Sequence, residues 1–253
     1  TRNRAALAAG RIGDERALPA LIGLLEKDPE AAGMAAFAIG EIESIKGAGA
    51  IMKNLDSVVN GDGRSVLDLG LATSLIEAAG KIAAANPKED DSKKLGKLIL
   101  NSLGSSKMDA ANRMPRGDRD FFVSGLTAVL RARPEGADVV VARFLASPHA
   151  RIRSHAGNTL TRLRAKNANE TLRKMLVSEP DGAARSNAAR ALGAAEDKDS
   201  VELLVKAATT DADLRVRVSA VRSLAALKDA KAADKLIERG NYLLIPIHGD
   251  PAP

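Results

Sequence analysis

The sequence predicts an all-α fold: an α-α superhelix, or solenoid, of about seven stacked two-helix repeats. Three observations carry this reading. A small-small-x-x-apolar-small-x-apolar signature returns along the chain, apolar residues keep helical spacing around it, and the 45% of hydrophobic residues include only 2% aromatics. A core of Ala, Leu, Ile and Val suits closely packed helices. The function expected of such a chain is binding other macromolecules rather than catalysis.

The signature reads AALAAGRIGD from Ala5, AAFAIGEIES from Ala35, EAAGKIAAA from Glu77, ARALGAAED from Ala189 and VRSLAALKD from Val221. These strings align on Gly10, Gly40, Gly80, Gly193 and Ala225. Weaker copies centred on Leu130 and Thr161 complete the series, with successive intervals of 30, 40, 50, 31, 32 and 32 residues. A period in this range is the mark of a repeat architecture. The repeats fall near 1–28, 29–62, 63–104, 118–147, 148–179, 180–210 and 211–240 of a single solenoid over 1–240.

Each element follows from its position relative to the anchor. Five residues before it stand Ala5, Ala35, Leu75, Gly125, Ala156, Ala188 and Ala220, mostly small, which lets helix backbones approach. Two residues after it stand Ile12, Ile42, Ile82, Ala132, Leu163, Ala195 and Leu227, completing an apolar stripe on the first helix. Eleven residues after it come Leu21, Ile51, Asp91, Val141, Leu172, Leu204 and Leu236, the centre of the second helix, with Asp91 the one polar residue. Asp14, Asp197 and Asp229 stand between the helices, where a short carboxylate is expected to cap the second one. Pro19, Pro134 and Pro180 fall near expected helix starts.

The two long intervals mark insertions. Ser57 to Gly63 (SVVNGDG) is a turn cluster, and Gly104 to Asp120 (GSSKMDAANRMPRGDRD) has no helical periodicity. Residues 105–117 are expected to form a mobile surface loop, either a contact element or tolerated slack. Lys107, Arg113, Arg116 and Arg119 are its candidate contact residues. The Arg116-Gly117-Asp118 triplet matches an integrin ligand, and chance explains it better. Residues 241–253, NYLLIPIHGDPAP, are expected to be a C-terminal cap or exit linker, with Leu243, Leu244 and Ile245 covering the last repeat.

Chemistry finds little support. There is no cysteine, hence no disulfide, thiolate metal site or cysteine nucleophile. His149 and His155 lie about 240° apart around one expected helix and cannot share a metal as an i, i+4 pair would. The GAGA stretch at Gly47 lacks the rest of a dinucleotide fingerprint and reads as helix-start glycine, and no G-K-[ST] phosphate loop exists. Asp90-Asp91 reads as a helix-start cap. No cofactor, metal, catalytic residue or small-molecule substrate is therefore expected. No apolar run reaches the ~20 residues of a membrane span. The chain opens at Thr1 inside a helical pattern and reads as a processed or truncated piece.

The residues RNRAALAAGRIGDERALPAL resemble the HEAT repeat, in the short form also found in phycobilisome lyases. Its motif expects Arg eight positions before the anchor and Asp four after it. Arg2, Arg153, Arg185 and Arg217 match the first, whereas Ala32, Ala72 and Phe122 replace it in repeats two to four. The resemblance thus assigns structural motif roles to Arg2, Gly10, Asp14, Gly40, Gly80, Arg153, Arg185, Gly193, Asp197, Arg217 and Asp229. Some HEAT-repeat proteins are di-iron hydroxylases using His-Glu dipeptides, but the three histidines here precede Ala150, Ala156 and Gly249. Longer strings, among them SGLTAVLRARPEGADVVVARFL and RVSAVRSLAALKDAKAADKL, are similar to bacterial exported proteins in which a HEAT array precedes a cyclophilin-type prolyl isomerase domain. That likeness implies a periplasmic or exported parent; without it, the cytoplasm is the default.

The net charge of +6 permits nucleic-acid binding. Lys93, Lys94, Lys97, Arg143, Arg173, Lys174, Lys206, Lys231 and Lys235 on the second helices are interspersed with Asp90, Asp91, Asp138, Glu170, Glu202, Asp234 and Glu238, and aromatics for base stacking are almost absent. The leading expectation is a non-catalytic protein-binding scaffold. The alternatives are the non-catalytic arm of a prolyl isomerase, a lyase-like or chaperone-like protein acting on a chromoprotein, and a nucleic-acid-binding protein. A specialised contact region is expected in repeats two to four, which lose the motif's Arg and carry both insertions.

Overall fold

The computed structural model describes residues 1–60, 68–105, 119–229, 232–234 and 236–237. Among them the regular structure is helical throughout, with no strand. Residues Thr1–Thr159 form one compact unit and the described residues from Leu160 onward a second.

The first unit holds α1 (Arg2–Ile12), α2 (Leu18–Lys27), α3 (Ala32–Ile42), α4 (Ala48–Asn60), α5 (Leu69–Ala85), α6 (Asp90–Gly104), α7 (Arg119–Ala132) and α8 (Ala137–Arg143). The odd helices pack side by side in chain order, and α4, α6 and α8 form a second row beside them. Helix α9 (Ala150–Leu163) spans the boundary between units. The second unit contains α10 (Asn169–Ser178), α11 (Gly182–Ala194), α12 (Val201–Thr210) and α13 (Leu214–Leu227). There α11 packs on α13, and α10 on α12.

One backbone feature recurs in strict register. The residue three after the anchor adopts the left-handed conformation at Gly13, Glu43, Arg133, Arg164, Glu196 and Lys228. This turn ends the first helix and releases the chain toward the second. It stands even behind the weak anchors Leu130 and Thr161. Repeat three departs, because α5 continues to Ala85.

The anchors themselves mark helix contacts. A β-carbon on Gly10 would stand 2.8 Å from the Ala38 Cα, on Gly40 2.7 Å from Ala78, on Gly80 2.7 Å from Ala128, and on Gly193 2.8 Å from Ser223. Each partner lies two residues before the following anchor. Ser223 also donates its hydroxyl to the Ala189 carbonyl at 2.8 Å, and Ser186 and Ser219 share a hydrogen bond of 2.8 Å. Close backbone approach needs small residues on both sides, as in any tightly packed helix pair.

Burial follows the expected stripes with instructive exceptions. Leu21, Ile51, Val141, Leu172 and Leu204 are buried at the centre of the second helices, whereas Leu236 is half-exposed. In repeat three Asp91 sits in the first turn of α6, and Leu95 takes the buried place one turn later. Ile12 is 76% exposed and Ala5 is also exposed, because no described helix covers that face of α1. Leu163 is half-exposed. The turn expected over Ser57–Gly63 is corrected in its first half: α4 runs through Asn60 and buries Val59 completely. Residues 61–63 lie outside the described residues, as do nearly all of the 105–117 loop and all of 241–253.

The core is not wholly aliphatic. Phe121 and Phe122 meet edge to face at 5.4 Å, and Phe144 lies 5.7 Å from Phe122. Phe122 occupies the position where other repeats keep Arg. Ala32, Ala72 and Phe122 are all buried, so repeats two to four fill this site with apolar volume.

Candidate functional site

The motif arginines serve the fold. Arg185 donates to both carboxylate oxygens of Asp211 at 2.9 Å and to the carbonyls of Glu179 and Pro180. Arg217 binds the Asp211 and Ala212 carbonyls, Arg153 binds the Ser147 carbonyl, and Arg2 pairs with Asp28 at 2.7 Å. Each guanidinium thus gathers free carbonyls or a carboxylate in the connection between hairpins. Hydrogen bonding from Arg185 holds the Asp211 carboxyl below the usual range.

The motif aspartates divide. Asp14 accepts from the Arg16 N–H at 2.8 Å within a short 3-10 turn that precedes α2, rather than capping α2 itself. Asp229 accepts from the Ala232 N–H at 3.1 Å. Asp197 makes no cap; buried, it accepts from the Asn169 amide at 3.1 Å. Asp90 and Asp91 likewise lie in the first turn of α6, after Glu89, and pair with Lys93 and Lys94. The capping role at the first helices belongs to Asp68, Asp181 and Asp213, whose side chains accept from Leu71, Ala184 and Arg215 N–H groups. All three stand twelve residues before an anchor, a recurrence that sequence inspection could have found. Asp118 of the Arg-Gly-Asp triplet shares that register and lies outside the described residues.

Of the candidate contact loop, Lys107, Arg113 and Arg116 also lie outside the described residues, and Arg119 is the exposed first residue of α7. His149 immediately precedes α9, while His155 is half-buried within it. Burial, aided by Arg151, pulls the His155 pKa down. Among the described residues no three His, Cys, Asp or Glu side chains are grouped to hold a metal ion. No described helix is long and apolar enough to cross a membrane.

One surface groove was not legible in advance. It is a groove of about 750 Å³ across α6 and α8, lined also by Asn60 of α4. Helix α6 buries Leu95, Ile99 and Leu103, which turns Lys97 and Asn101, one turn apart, outward. Opposite them the left-handed residues Arg133 and Gly136 bracket a tight turn that carries Glu135. Leu100 and Val140 line the groove between, and Val139 stands 60% exposed on its wall. Glu135 also borders a smaller cleft of about 310 Å³ between α6 and the 132–135 turn. In that cleft the Ser92 hydroxyl is buried without a hydrogen-bond partner.

Comparison with known proteins gives the repeat its type. The profile of HEAT repeats matches residues 137–217 and 169–241. No curated protein matches the chain. Among solved structures it is similar to the complex of CpcE and CpcF of phycocyanin lyase from a Nostoc species. The TM-score there is 0.51 at 18% identity, over 96% of this chain and 89% of that one. It is also similar to an engineered protein, with a TM-score of 0.51 at 21% identity, over 83% of this chain and 96% of that one. Human deoxyhypusine hydroxylase in complex with glycerol gives a TM-score of 0.42 at 19% identity, over 90% of this chain and 79% of that one. Likeness at these identities shows the fold alone.

Proposed function

HEAT repeats make up residues 137–241, and on that premise we propose that the chain is a docking scaffold for another protein, with no catalytic chemistry of its own. The observation that carries the reading is the groove across α6 and α8. It joins an exposed apolar wall at Val139 to polar side chains that have no partner among the described residues, Lys97, Asn101 and Glu135. A concave, mixed surface on a rigid helical support is what a protein interface requires. It lies in the repeats that depart from the motif.

The test is affinity isolation of the chain from its source cells, as wild type and as Val139→Asp. Val139 is exposed, so the variant keeps its helicity and melting temperature. The reading expects a discrete protein that accompanies the wild type and falls at least about tenfold in the variant, the scale of one interface anchor. Equal recovery with both, or no companion with either, overturns it.

A further inference from the structure

We propose that residues 242–247 of this same chain lie along the outer face of α13 and take the place that the first helix of a further hairpin would fill. The inference concerns the end of the array and is independent of the docking reading.

Register defines the face. Ala36, Ile76 and Ala189, each four residues before its anchor, are 0% exposed, because the following hairpin packs on them, and the anchors Gly40, Gly80 and Gly193 are buried beside them. The same two positions of the last repeat, Val221 and Ala225, stand open, Val221 by 44%. Leu214 and Val218 continue the row along α13 at 61% and 39% exposure. Residues 214, 218, 221 and 225 fall on one helix face, so the exposed side chains form a single apolar stripe. In a repeat array such a stripe is the half of an interface that the next unit covers.

The residues that follow are suited to cover it. Ala232 and Leu236 line a cavity of about 370 Å³ with Val221, Leu224 and Ala225, so the chain returns alongside α13 after the turn at Lys228. Five residues beyond Ile237, the last described residue, begins the uncharged run YLLIPI, residues 242–247. The stripe from Leu214 to Ala225 is about 16 Å long at the helical rise. Six extended residues span about 20 Å. Pro251 and Pro253 fall where the first helix of another repeat would run, which bars these residues from forming a regular hairpin. Pro246 holds the residue before it in extended backbone.

Charge distinguishes this occupant from a second copy. The surface of a second copy with the matching register is α1, whose Ala5, Ala8 and Ile12 are exposed; Ala8 stands two residues before Gly10, as Ala38, Ala78 and Ser223 stand before their anchors. That helix carries the exposed Arg4 and Arg11, and α13 carries the exposed Arg222 and Lys228. A second copy would bring like charges together, whereas the segment 242–247 brings none.

The chain has one tyrosine, Tyr242, and no tryptophan, so its tyrosine emission reports this segment alone. The experiment is acrylamide quenching of that emission in the full chain, with sedimentation velocity giving the oligomeric state. In the monomer Tyr242 is expected to be quenched at least about threefold less than N-acetyltyrosinamide, as befits a ring packed on apolar side chains. Val221→Asp and Leu214→Asp, at exposed positions of the stripe, should each restore most of the quenching, with circular dichroism showing that the helices persist. Val177→Asp, at an exposed position of α10, should leave Tyr242 protected. Quenching like that of the free amide in the wild type, or protection that survives both stripe variants, overturns the proposal. Protection that appears only as the protein dimerises with rising concentration also overturns it, since a second copy then occupies the face.

Discussion

Gly80 lies directly against Ala128, so closely that a β-carbon on residue 80 would stand 2.7 Å from the Ala128 Cα and 2.7 Å from its Cβ. The same meeting recurs between Gly10 and Ala38, Gly40 and Ala78, and Gly193 and Ser223. The repeated glycine is therefore the place where one hairpin's backbone is received by the next.

Gly80→Ala should destabilise the first unit by about 1 to 3 kcal/mol, since backbone and not a flexible side chain must give way. Gly23, in the middle of α2, has nothing within 4 Å of an added β-carbon. Gly23→Ala should stabilise by about 0.5 to 1 kcal/mol through helix propensity. Urea denaturation of both variants checks the contrast; two changes of the same sign would contradict it.

Leu192 is fully buried in α11. Leu192→Ala should cost about 2 to 5 kcal/mol, and in a repeat array the loss should stay near its neighbours. Hydrogen exchange is expected to accelerate in α11 to α13 while α1 to α6 keep their protection. Uniform acceleration along the chain would count against nearest-neighbour stability.

The Arg185–Asp211 pair, 16% and 11% exposed, gives the second unit an acid limb. Hydrogen bonds from Arg185 depress the Asp211 pKa, and those from the Arg215 side chain and N–H lower Asp213 to about 2. A carboxyl depressed on folding stabilises above its unfolded pKa of about 4, and that contribution is lost as pH falls through the folded value. Asp211→Asn should therefore cost on the order of 2 kcal/mol at pH 7. The deficit against wild type should begin to shrink as pH falls below about 4, where Asp211 of the unfolded chain binds its proton, and be gone below the depressed folded value. A deficit of constant size in denaturation at all pH values would exclude this origin.

Much of the fold was legible because small residues and helix-ending turns impose a period that substitution of other positions leaves intact. The anchors at Gly10, Gly40, Gly80 and Gly193 each receive the following helix, and the turn three residues on marks even Leu130 and Thr161. Two things were hidden. The partner of each glycine depends on how hairpins stack, and Ile12 shows that a stripe residue stays exposed where no described helix covers it. Asp197, in the motif's capping position, instead binds Asn169 of the preceding repeat, a contact 28 residues away in sequence. The groove was less visible still. Its walls come from Lys97 and Glu135, far apart in sequence and individually ordinary surface charges, so only the region of departure from the motif pointed toward it.

The most direct test of the docking account is photo-crosslinking in source cells, with a photoreactive amino acid placed at Val139 in the groove or at Arg11, exposed on α1. The account predicts a discrete protein adduct from position 139 and none of comparable yield from position 11. Adducts of equal yield at both positions, or none at 139, would contradict it.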